Sequence, residues 1–287
     1  MVQHNFDHAD ATRIAFQGQP GAYSHMACAE AFPDLDAVPC RSFEEAFAVT
    51  RNDEADFAMI PVDNTVAGRV ADVHHVLPKG GLKIIGEHFL RVNHNLLGLP
   101  GADLDAVRTV ESHVHALGQC RDFIEQHRFE PIIVADTAGS ARDIARSQDS
   151  SRAAIASRLA AEIYGLDILA SDIEDADHNT TRFLIMAKDA VEPEVAAGPC
   201  ITSFIFRVRN VPAALYKALG GFATNGLNMI KLESYVDAEF NQAQFYAEIL
   251  GHPDQTKVKL AFEELGFYSS SVQTLGVYPA HKFRDLS

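Results

Sequence analysis

The stretch Asn179-Thr180-Thr181-Arg182-Phe183 gathers two hydroxyls, a guanidinium and an aromatic ring just ahead of the apolar run Leu184-Ile185-Met186. These groups suit the gripping of a small anion. An Arg fork pairs bidentately with carboxylate or phosphate, a hydroxyl donates and accepts, and a ring supplies a stiff apolar wall. Taken alone, the same residues also make an ordinary strand entrance. Four other segments lend the stretch its chemical meaning.

The strand Ile14-Ala15-Phe16 runs into Gln17-Gly18-Gln19-Pro20-Gly21-Ala22-Tyr23-Ser24, which opens a helix around His25 to Phe32. This loop is either an anion cradle, with glycine amides near a ligand and Ser24 capping the helix or touching the ligand, or a plain turn. It matches neither the Walker spacing nor the dinucleotide fingerprint, so a nucleotide is not expected. Met59-Ile60-Pro61 leads into Val62-Asp63-Asn64-Thr65-Val66-Ala67-Gly68, where Asn64 and Thr65 serve a ligand or an Asx turn with a helix cap. Thr109-Val110-Glu111 precedes Ser112-His113-Val114-His115 and Gln119-Cys120, and Ile133-Val134-Ala135 precedes Asp136-Thr137-Ala138-Gly139-Ser140. Each puts a hydroxyl at a helix start. His113 and His115 point the same way only on an extended chain and have no third ligand nearby, so a metal is not expected. A triad of Ser112, His113 and Asp136 lacks the nucleophile-elbow sequence. Hydroxyls at several strand ends, with Thr181 and Arg182, suggest recognition of a small polyoxygenated acid.

The elements that must position these groups alternate. Strands are predicted at Arg13 to Phe16, Phe57 to Pro61, Leu82 to His88, Thr109 to Glu111, Ile132 to Ala135, Ala153 to Ala156 and Arg182 to Ala187, with mostly helical segments between. Ligands of such α/β units gather at the carboxyl ends of strands. Residues 189–199, acidic and holding two prolines and a glycine, read as a linker. Beyond it come strand (Ile201 to Arg209), helix (Pro212 to Phe222), strand (Leu227 to Val236), strand (Gln242 to Leu250), helix (Gln255 to Leu265) and strand (Ser271 to Tyr278), the ferredoxin-like βαββαβ order. This second unit has no base beside a nucleophile and reads as a binding or regulatory module. Phe204 and Phe206 are predicted to be exposed and to pair modules between chains.

A chain of 287 residues buries about three quarters of its extended surface and falls where chains divide into domains. With 47% hydrophobic and 22% charged residues it is of ordinary globular composition, and its apolar runs are too short to cross a bilayer. Its formal charge of -15 disfavours nucleic acid and anionic membranes as partners. An anionic ligand would then need local positive potential from Arg182 or helix N-termini. Cys28, Cys40, Cys120 and Cys200 form no C-x-x-C pair, which fits a reducing cytoplasm better than zinc or disulfides. The polar start, Met1 to Thr12 with His4 and His8, reads as a frayed leader with solvated histidines.

In this order the segments resemble the prephenate dehydratase family. The resemblance is carried by Gly18-x-x-Gly21-x-Tyr23-Ser24, Pro61-x-Asp63-Asn64-Thr65-x-x-Gly68-x-Val70, Ser112-His113 with Gln119-Cys120, Asp136-Thr137-Ala138 and Asn179-x-Thr181-Arg182-Phe183. Past the linker it continues in Val211-Pro212-Ala213-Ala214-Leu215, Asn228 with Leu232-Glu233-Ser234, Phe245-Tyr246 with Gly251-His252, and Leu275-Gly276-x-Tyr278-Pro279. It implies a catalytic domain over residues 12–188, with two lobes like those of periplasmic binding proteins, and an ACT regulatory domain over 200–280. It also implies conversion of prephenate to phenylpyruvate without metal or cofactor, feedback by L-phenylalanine, and a homodimer or homotetramer. Thr181 becomes the catalytic hydroxyl, with Arg182 and Phe183 shaping the cleft. Tyr23, Ser24, Asn64, Thr65, Gly68, Ser112, His113, Gln119, Thr137 and Thr180 become substrate contacts. Ala213, Ala214, Leu215, Asn228, Leu232, Glu233 and Ser234 become effector contacts.

Some positions depart from the family's usual pattern. Asp63 and Thr65 stand where Glu and Ser are common, keeping charge and hydroxyl, and Ala22 replaces a frequent Thr. Ala213 replaces a usual Gly, and Tyr235-Val236 replace Arg-Pro after Glu233-Ser234, changes that bear on regulation more than on catalysis. Two rival readings are a dehydratase acting on arogenate and a non-catalytic amino-acid sensor. The complete Thr181-Arg182-Phe183 motif argues against the sensor.

Overall fold

The structure, a computed structural model, describes residues 10–236 and 243–284. The chain starts with β1 (Arg13–Gln17), α1 (Tyr23–Ala31), β2 (Asp36–Cys40), α2 (Phe43–Arg51), β3 (Phe57–Asn64), β4 (Gly68–Arg69), α3 (Ala71–Val76) and β5 (Lys83–Arg91). It then builds a second sheet from β6 (Asn95–Gly98), β7 (Thr109–Ser112), β8 (Glu130–Ile133), β9 (Arg152–Ala156) and β10 (Asp167–Ala170). Between these strands lie α4 (Val114–Gln119), α5 (Arg121–His127), α6 (Thr137–Ser147) and α7 (Arg158–Tyr164). The chain returns to the first sheet as β11 (Thr180–Ala187).

The first sheet runs β2-β1-β3-β11-β5 with β4 on β3, and the second runs β10-β6-β9-β7-β8. Each holds parallel pairs built by crossover helices, β1 with β2 and β3 in one and β7 with β8 and β9 in the other. The expected two-lobed α/β architecture is what forms. Strand interiors read as runs of buried apolar residues, such as Phe57 to Ile60 and Ala153 to Ala156, because helices cover both faces. Four short strands escaped sequence reading: β2, β4, β6 and β10. β2 is a mostly unburied edge strand carrying Pro39, which mutes its strand signal. β8 lies two residues earlier than expected, at Glu130–Ile133.

Residues 188–199 contain no helix or strand. After them come β12 (Cys200–Val208), α8 (Ala214–Thr224), β13 (Met229–Val236), β14 (Ala243–Leu250), α9 (Thr256–Tyr268) and β15 (Ser269–Pro279). The antiparallel sheet order β13-β14-β12-β15 realises the ferredoxin-like βαββαβ plan. α8 begins later than predicted: Ala213 is its N-cap, in a left-handed conformation at φ 60, so Pro212 precedes the helix. Phe204 and Phe206 correct a second expectation, since both are fully buried and pack with Phe222, Phe245 and Val258. α8 and α9 cover the sheet face that carries these two rings. His4, His8 and the predicted start of β14 at Gln242 lie outside the described residues.

Compactness divides the chain into two units. Of the described residues, 10–76 and His88–Leu184 belong to the first, Leu77–Glu87 and those from Ile185 to 284 to the second. The second unit therefore contains the first half of β5, and there Gly276 of β15 lies directly against the Ile84 carbonyl. No helix among the described residues is long and apolar enough to cross a membrane.

Candidate active site

Strand geometry sorts the Asn179–Phe183 stretch into two faces, because successive side chains alternate. Thr181 and Phe183 line a cavity of about 360 Å³. Asn179, on the same face, is fully buried beside it and bonds Asn64 and Gln119. Thr180 and Arg182 fall on the other face. Arg182 is buried, its Nη1 lies 3.5 Å from Asp63 Oδ2, and it does not line the cavity. Arg182 therefore stands behind the cavity wall rather than in it. The period of the strand, rather than adjacency in sequence, decides which side chain meets a ligand.

The cavity draws its wall from both sheets of the first unit. Gln17, Tyr23, Ser24 and Asn64 come from the first lobe, and His94, His113, Gln119, Asp136 and Thr137 from the second and the chain leading into it. Of the thirteen residues predicted for catalysis and substrate contact, Tyr23, Ser24, Asn64, His113, Gln119, Thr137, Thr181 and Phe183 meet here. Five do not. Ser112 is fully buried and donates its hydroxyl to the Ile155 carbonyl at 2.6 Å, so it neither faces a ligand nor joins a triad. Thr65 donates to the His178 carbonyl at 2.6 Å and accepts from the Thr180 amide at 2.9 Å, stitching the 64–67 turn to β11. Thr180 follows Arg182 to the opposite face, and Gly68 lines an adjoining recess.

That recess, about 780 Å³, shares Gln17, Asn64, Ala67, Val70, His113 and His115 with the cavity and adds Arg41, Arg69 and His75 together with the carboxylates Glu44 and Asp72. The cations bordering the site therefore come from β4 and the β2–α2 turn, not from β11. Their side chains gave no motif signal in the sequence. The rings of His113 and His115 lie 5.1 Å apart, and His113 caps α4 by accepting the His115 amide. Among the described residues no group of three or more His, Cys, Asp or Glu could hold a metal ion. All four cysteines are free and buried.

The glycine loop is a joint, not an anion cradle. The Gly18 amide donates to the Cys40 carbonyl and the Gly21 amide to His25 Nδ1 at 3.0 Å, so both are engaged within the protein. The Gly21 carbonyl accepts from Ser157 Oγ at 2.5 Å, and a Cβ at Gly21 would stand 2.8 Å from Ala160 Cα. Glycine is required because the second lobe approaches this closely, and because φ is 89. Ser24 does not cap α1; it lies inside the helix and lines the cavity, while Ala22 is the N-cap without a side-chain bond.

Behind the cavity runs a chain of side-chain hydrogen bonds. Asn64 Nδ2 donates to Thr181 Oγ1 at 2.9 Å and to Asn179 Oδ1 at 2.8 Å. Asn179 Nδ2 donates to Gln119 Oε1 at 2.9 Å, which lies 2.8 Å from His94 Nε2, and His94 Nδ1 lies 2.7 Å from the Tyr23 hydroxyl. Burial holds the His94 imidazole below its ordinary range against the opposing pull of Gln119 and Glu174. Burial, then the neighbouring Cys120 and Glu174, pushes the Tyr23 phenol well up, so it keeps its proton. Burial, with His115 beside it, also lowers His113. His94 and Asn179 were absent from the predicted contacts. Asn179 is marked in the sequence only as the first residue of its motif, and His94 is one of thirteen histidines with no local pattern to mark it.

The model of the family described as prephenate dehydratase matches residues 14–191, more than half of the sequence. The chain belongs to the prephenate dehydratase family. This is a family of decarboxylating dehydratases, and the chain is accordingly a lyase. A bifunctional N-acyl-homoserine lactone acylase/prephenate dehydratase of Komagataeibacter europaeus is 46% identical over 276 residues, spanning 94% of this chain and 97% of the relative. An arogenate dehydratase/prephenate dehydratase of Arabidopsis thaliana is 38% identical over 282 residues, 93% of this chain and 72% of that protein. The crystal structure of an Arthrobacter aurescens prephenate dehydratase in complex with L-Phe superposes with a TM-score of 0.86 at 28% identity, covering 94% and 90% of the two chains. A likeness over this share of both chains agrees with the fold described above.

Proposed function

We propose that the enzyme converts prephenate to phenylpyruvate, carbon dioxide and water, with Thr181 as the oriented hydrogen-bond donor to the departing hydroxyl. The observation carrying this reading is the bond from Asn64 Nδ2 to Thr181 Oγ1 at the wall of a 360 Å³ cavity. In the reaction the bond from the ring to its carboxylate breaks, and its electron pair enters the ring. The C4–oxygen bond breaks on the opposite side, and the leaving hydroxyl takes one proton to depart as water. Aromatisation supplies the driving force, so no external base is needed. A threonine hydroxyl is a very weak acid, and its proton is replaced from solvent as it is given up. What the site must do is grip two carboxylates, align the breaking bonds and present a donor. Phe183 and Val92 offer apolar wall to the ring, and Arg41 and Arg69 of the adjoining recess offer positive charge to a carboxylate.

Asp136 favours a second reading, arogenate as substrate. It lines the cavity, and an acidic group there suits the substrate's amine, although its Oδ1 also caps α6 by accepting the Gly139 amide at 2.5 Å. The C-terminal unit is proposed to be an ACT domain that binds L-phenylalanine through the start of α8 (Ala213, Ala214, Leu215), Asn228 and the β13 residues Leu232, Glu233 and Ser234. Support comes from the L-Phe complex of the Arthrobacter relative. Among the described residues β13 and β15 are the outermost strands of its sheet, which fits a homodimer or homotetramer. The buried free thiols fit a cytoplasmic enzyme.

The test is phenylpyruvate formation from prephenate, and phenylalanine formation from arogenate, by the purified chain and by Thr181→Val, with and without L-phenylalanine. Turnover of prephenate that falls on the order of a hundredfold or more in the variant is expected. Turnover of arogenate alone selects the second reading. Release of acyl chains from N-acyl-homoserine lactones, the other activity in the Komagataeibacter relative's name, is measured in the same preparation.

A further inference from the structure

We infer that His94 is a positioning residue whose imidazole, neutral with its proton on Nε2, locks the amide relay Gln119–Asn179–Asn64 and so aims the Thr181 hydroxyl proton into the cavity. The inference rests on the proposed role of Thr181 as donor. Its basis is that every donor and acceptor along the relay follows from one fixed point.

That point is the 64–67 turn. The backbone amides of Val66 and Ala67 both donate to Asn64 Oδ1, at 2.9 and 2.7 Å. Backbone amides only donate, so this atom is oxygen and the other terminus of Asn64 is the NH₂ group. Its two hydrogens serve Thr181 Oγ1 and Asn179 Oδ1. Asn179 must then present oxygen to Asn64 and NH₂ to Gln119, and Gln119 must present oxygen to Asn179. Gln119 Oε1 can only accept, so His94 Nε2, 2.8 Å away, carries a hydrogen. A neutral imidazole with hydrogen on Nε2 has its lone pair on Nδ1, 2.7 Å from the Tyr23 hydroxyl. That hydroxyl has one hydrogen and two acceptors within reach, Nδ1 and the Asn93 carbonyl at 2.9 Å, and burial of the ring, which disfavours an imidazolium, assigns the hydrogen to the nearer Nδ1. The edge-to-face seat of the Tyr23 ring, 5.4 Å between centroids at 83°, and the bond from the His94 amide to Glu174 at 2.8 Å hold the imidazole in place.

The consequence falls on Thr181. Its Oγ1 already accepts from Asn64, and among the described residues it donates to no protein acceptor. The hydroxyl hydrogen is therefore directed towards whatever fills the cavity. Without His94, Gln119 is free to rotate its amide; Asn179 can follow, Asn64 loses one of its two acceptors, and the donor at Thr181 loses its fixed direction. The effect should appear in kcat, because orientation of a proton donor matters in the transition state more than in the bound substrate.

The experiment compares His94→Leu and His94→Gln with the wild-type chain in steady-state prephenate turnover, and adds the ¹⁵N signals of the His94 ring at neutral pH. His94→Leu is expected to lower kcat about 10- to 100-fold, as loss of an orienting outer partner does, with KM changed by less than threefold. His94→Gln, which restores an N–H donor towards Gln119, is expected to recover most of the loss. The wild-type ring should show hydrogen on Nε2 and a lone pair on Nδ1. A proton on Nδ1 alone, or His94→Leu with unchanged kcat, overturns the inference. So does a KM rise in both variants without a fall in kcat. Thr181→Val separates the two levels: if it keeps wild-type turnover, the donor role of Thr181 is wrong, whereas an inactive Thr181→Val beside a fully active His94→Leu refutes only the relay.

Discussion

Arg284 closes a two-pronged ion pair on Glu87, Nε to Oε1 at 2.7 Å and Nη2 to Oε2 at 3.0 Å, and its Nη2 also stands 3.6 Å from Glu248. Both carboxylates are almost completely buried, and Glu248 takes the Tyr246 hydroxyl as well. The last described turn of the chain thus brings a cation to two acids held between β5 and the C-terminal sheet of the second unit. Arg284→Met keeps much of the stem's packing but removes that cation, and breaking a buried pair by deleting one partner costs about 3–5 kcal/mol. Urea unfolding at neutral pH should show an unfolding free energy lower by that amount, with a correspondingly lower midpoint. An unchanged midpoint would mean that the two acids are stabilised without Arg284.

Much of the architecture is legible in the sequence, for identifiable reasons. Long buried runs such as Phe57 to Ile60 and the linker's proline and glycine punctuation are local signals, and they fix where strands and breaks fall. The side chains that build the cavity are legible only where strand ends carry polar residues, as at Asn64 and Thr137. Arg182 shows the limit: its neighbours Thr181 and Phe183 face the cavity, but the pleat turns the guanidinium towards Asp63. Ser112 shows another, since its partner, the Ile155 carbonyl, lies 43 residues away. His94 was invisible because its significance arises from Tyr23 and Gln119, which sequence separates and folding unites.

The pH dependence of stability should carry the mark of His94. Burial lowers its folded pKa below the ordinary 6.5, so as pH falls below about 6.5 the unfolded chain takes up a proton that the folded chain excludes. Stability present above that pH is lost as acid approaches the folded pKa, at about 1.4 kcal/mol per pH unit for one fully discriminating histidine. His25 and His113, also lowered by burial, add to the wild-type slope. His94→Gln isolates one share. Denaturant unfolding between pH 7 and 5.5 should give a shallower loss for this variant than for wild type, and parallel curves would show that His94 does not titrate differently on folding.

Ala213 occupies a conformation that favours glycine. Its φ of 60 places it in the left-handed region at the N-cap of α8, and its side chain is exposed. An L residue there costs roughly 1–2 kcal/mol, part of which glycine returns through its greater freedom in the unfolded chain. Ala213→Gly should therefore raise stability by about 0.5–1 kcal/mol by chemical denaturation. If the start of α8 receives L-phenylalanine, the same variant should also bind it more tightly in calorimetry, because the backbone is relieved of a methyl group beside the effector.

Gly276 tests the opposite case, where glycine is demanded by a neighbour and not by its own φ. A Cβ there would collide with the backbone carbonyl, carbonyl carbon and Cβ of Ile84, which are not the movable end of a flexible side chain. β15 and the first half of β5 would have to separate, disturbing Leu275 and Val277, both nearly fully buried, on either side. Overpacking of a rigid contact costs about 1–3 kcal/mol and more when backbone must shift. Gly276→Ala should therefore lower the unfolding free energy by at least about 2 kcal/mol. Because the strain falls in the second unit, which also contains the proposed effector contacts, it should weaken the response to L-phenylalanine more than it lowers kcat. A variant with lost kcat and an intact response would contradict that placement.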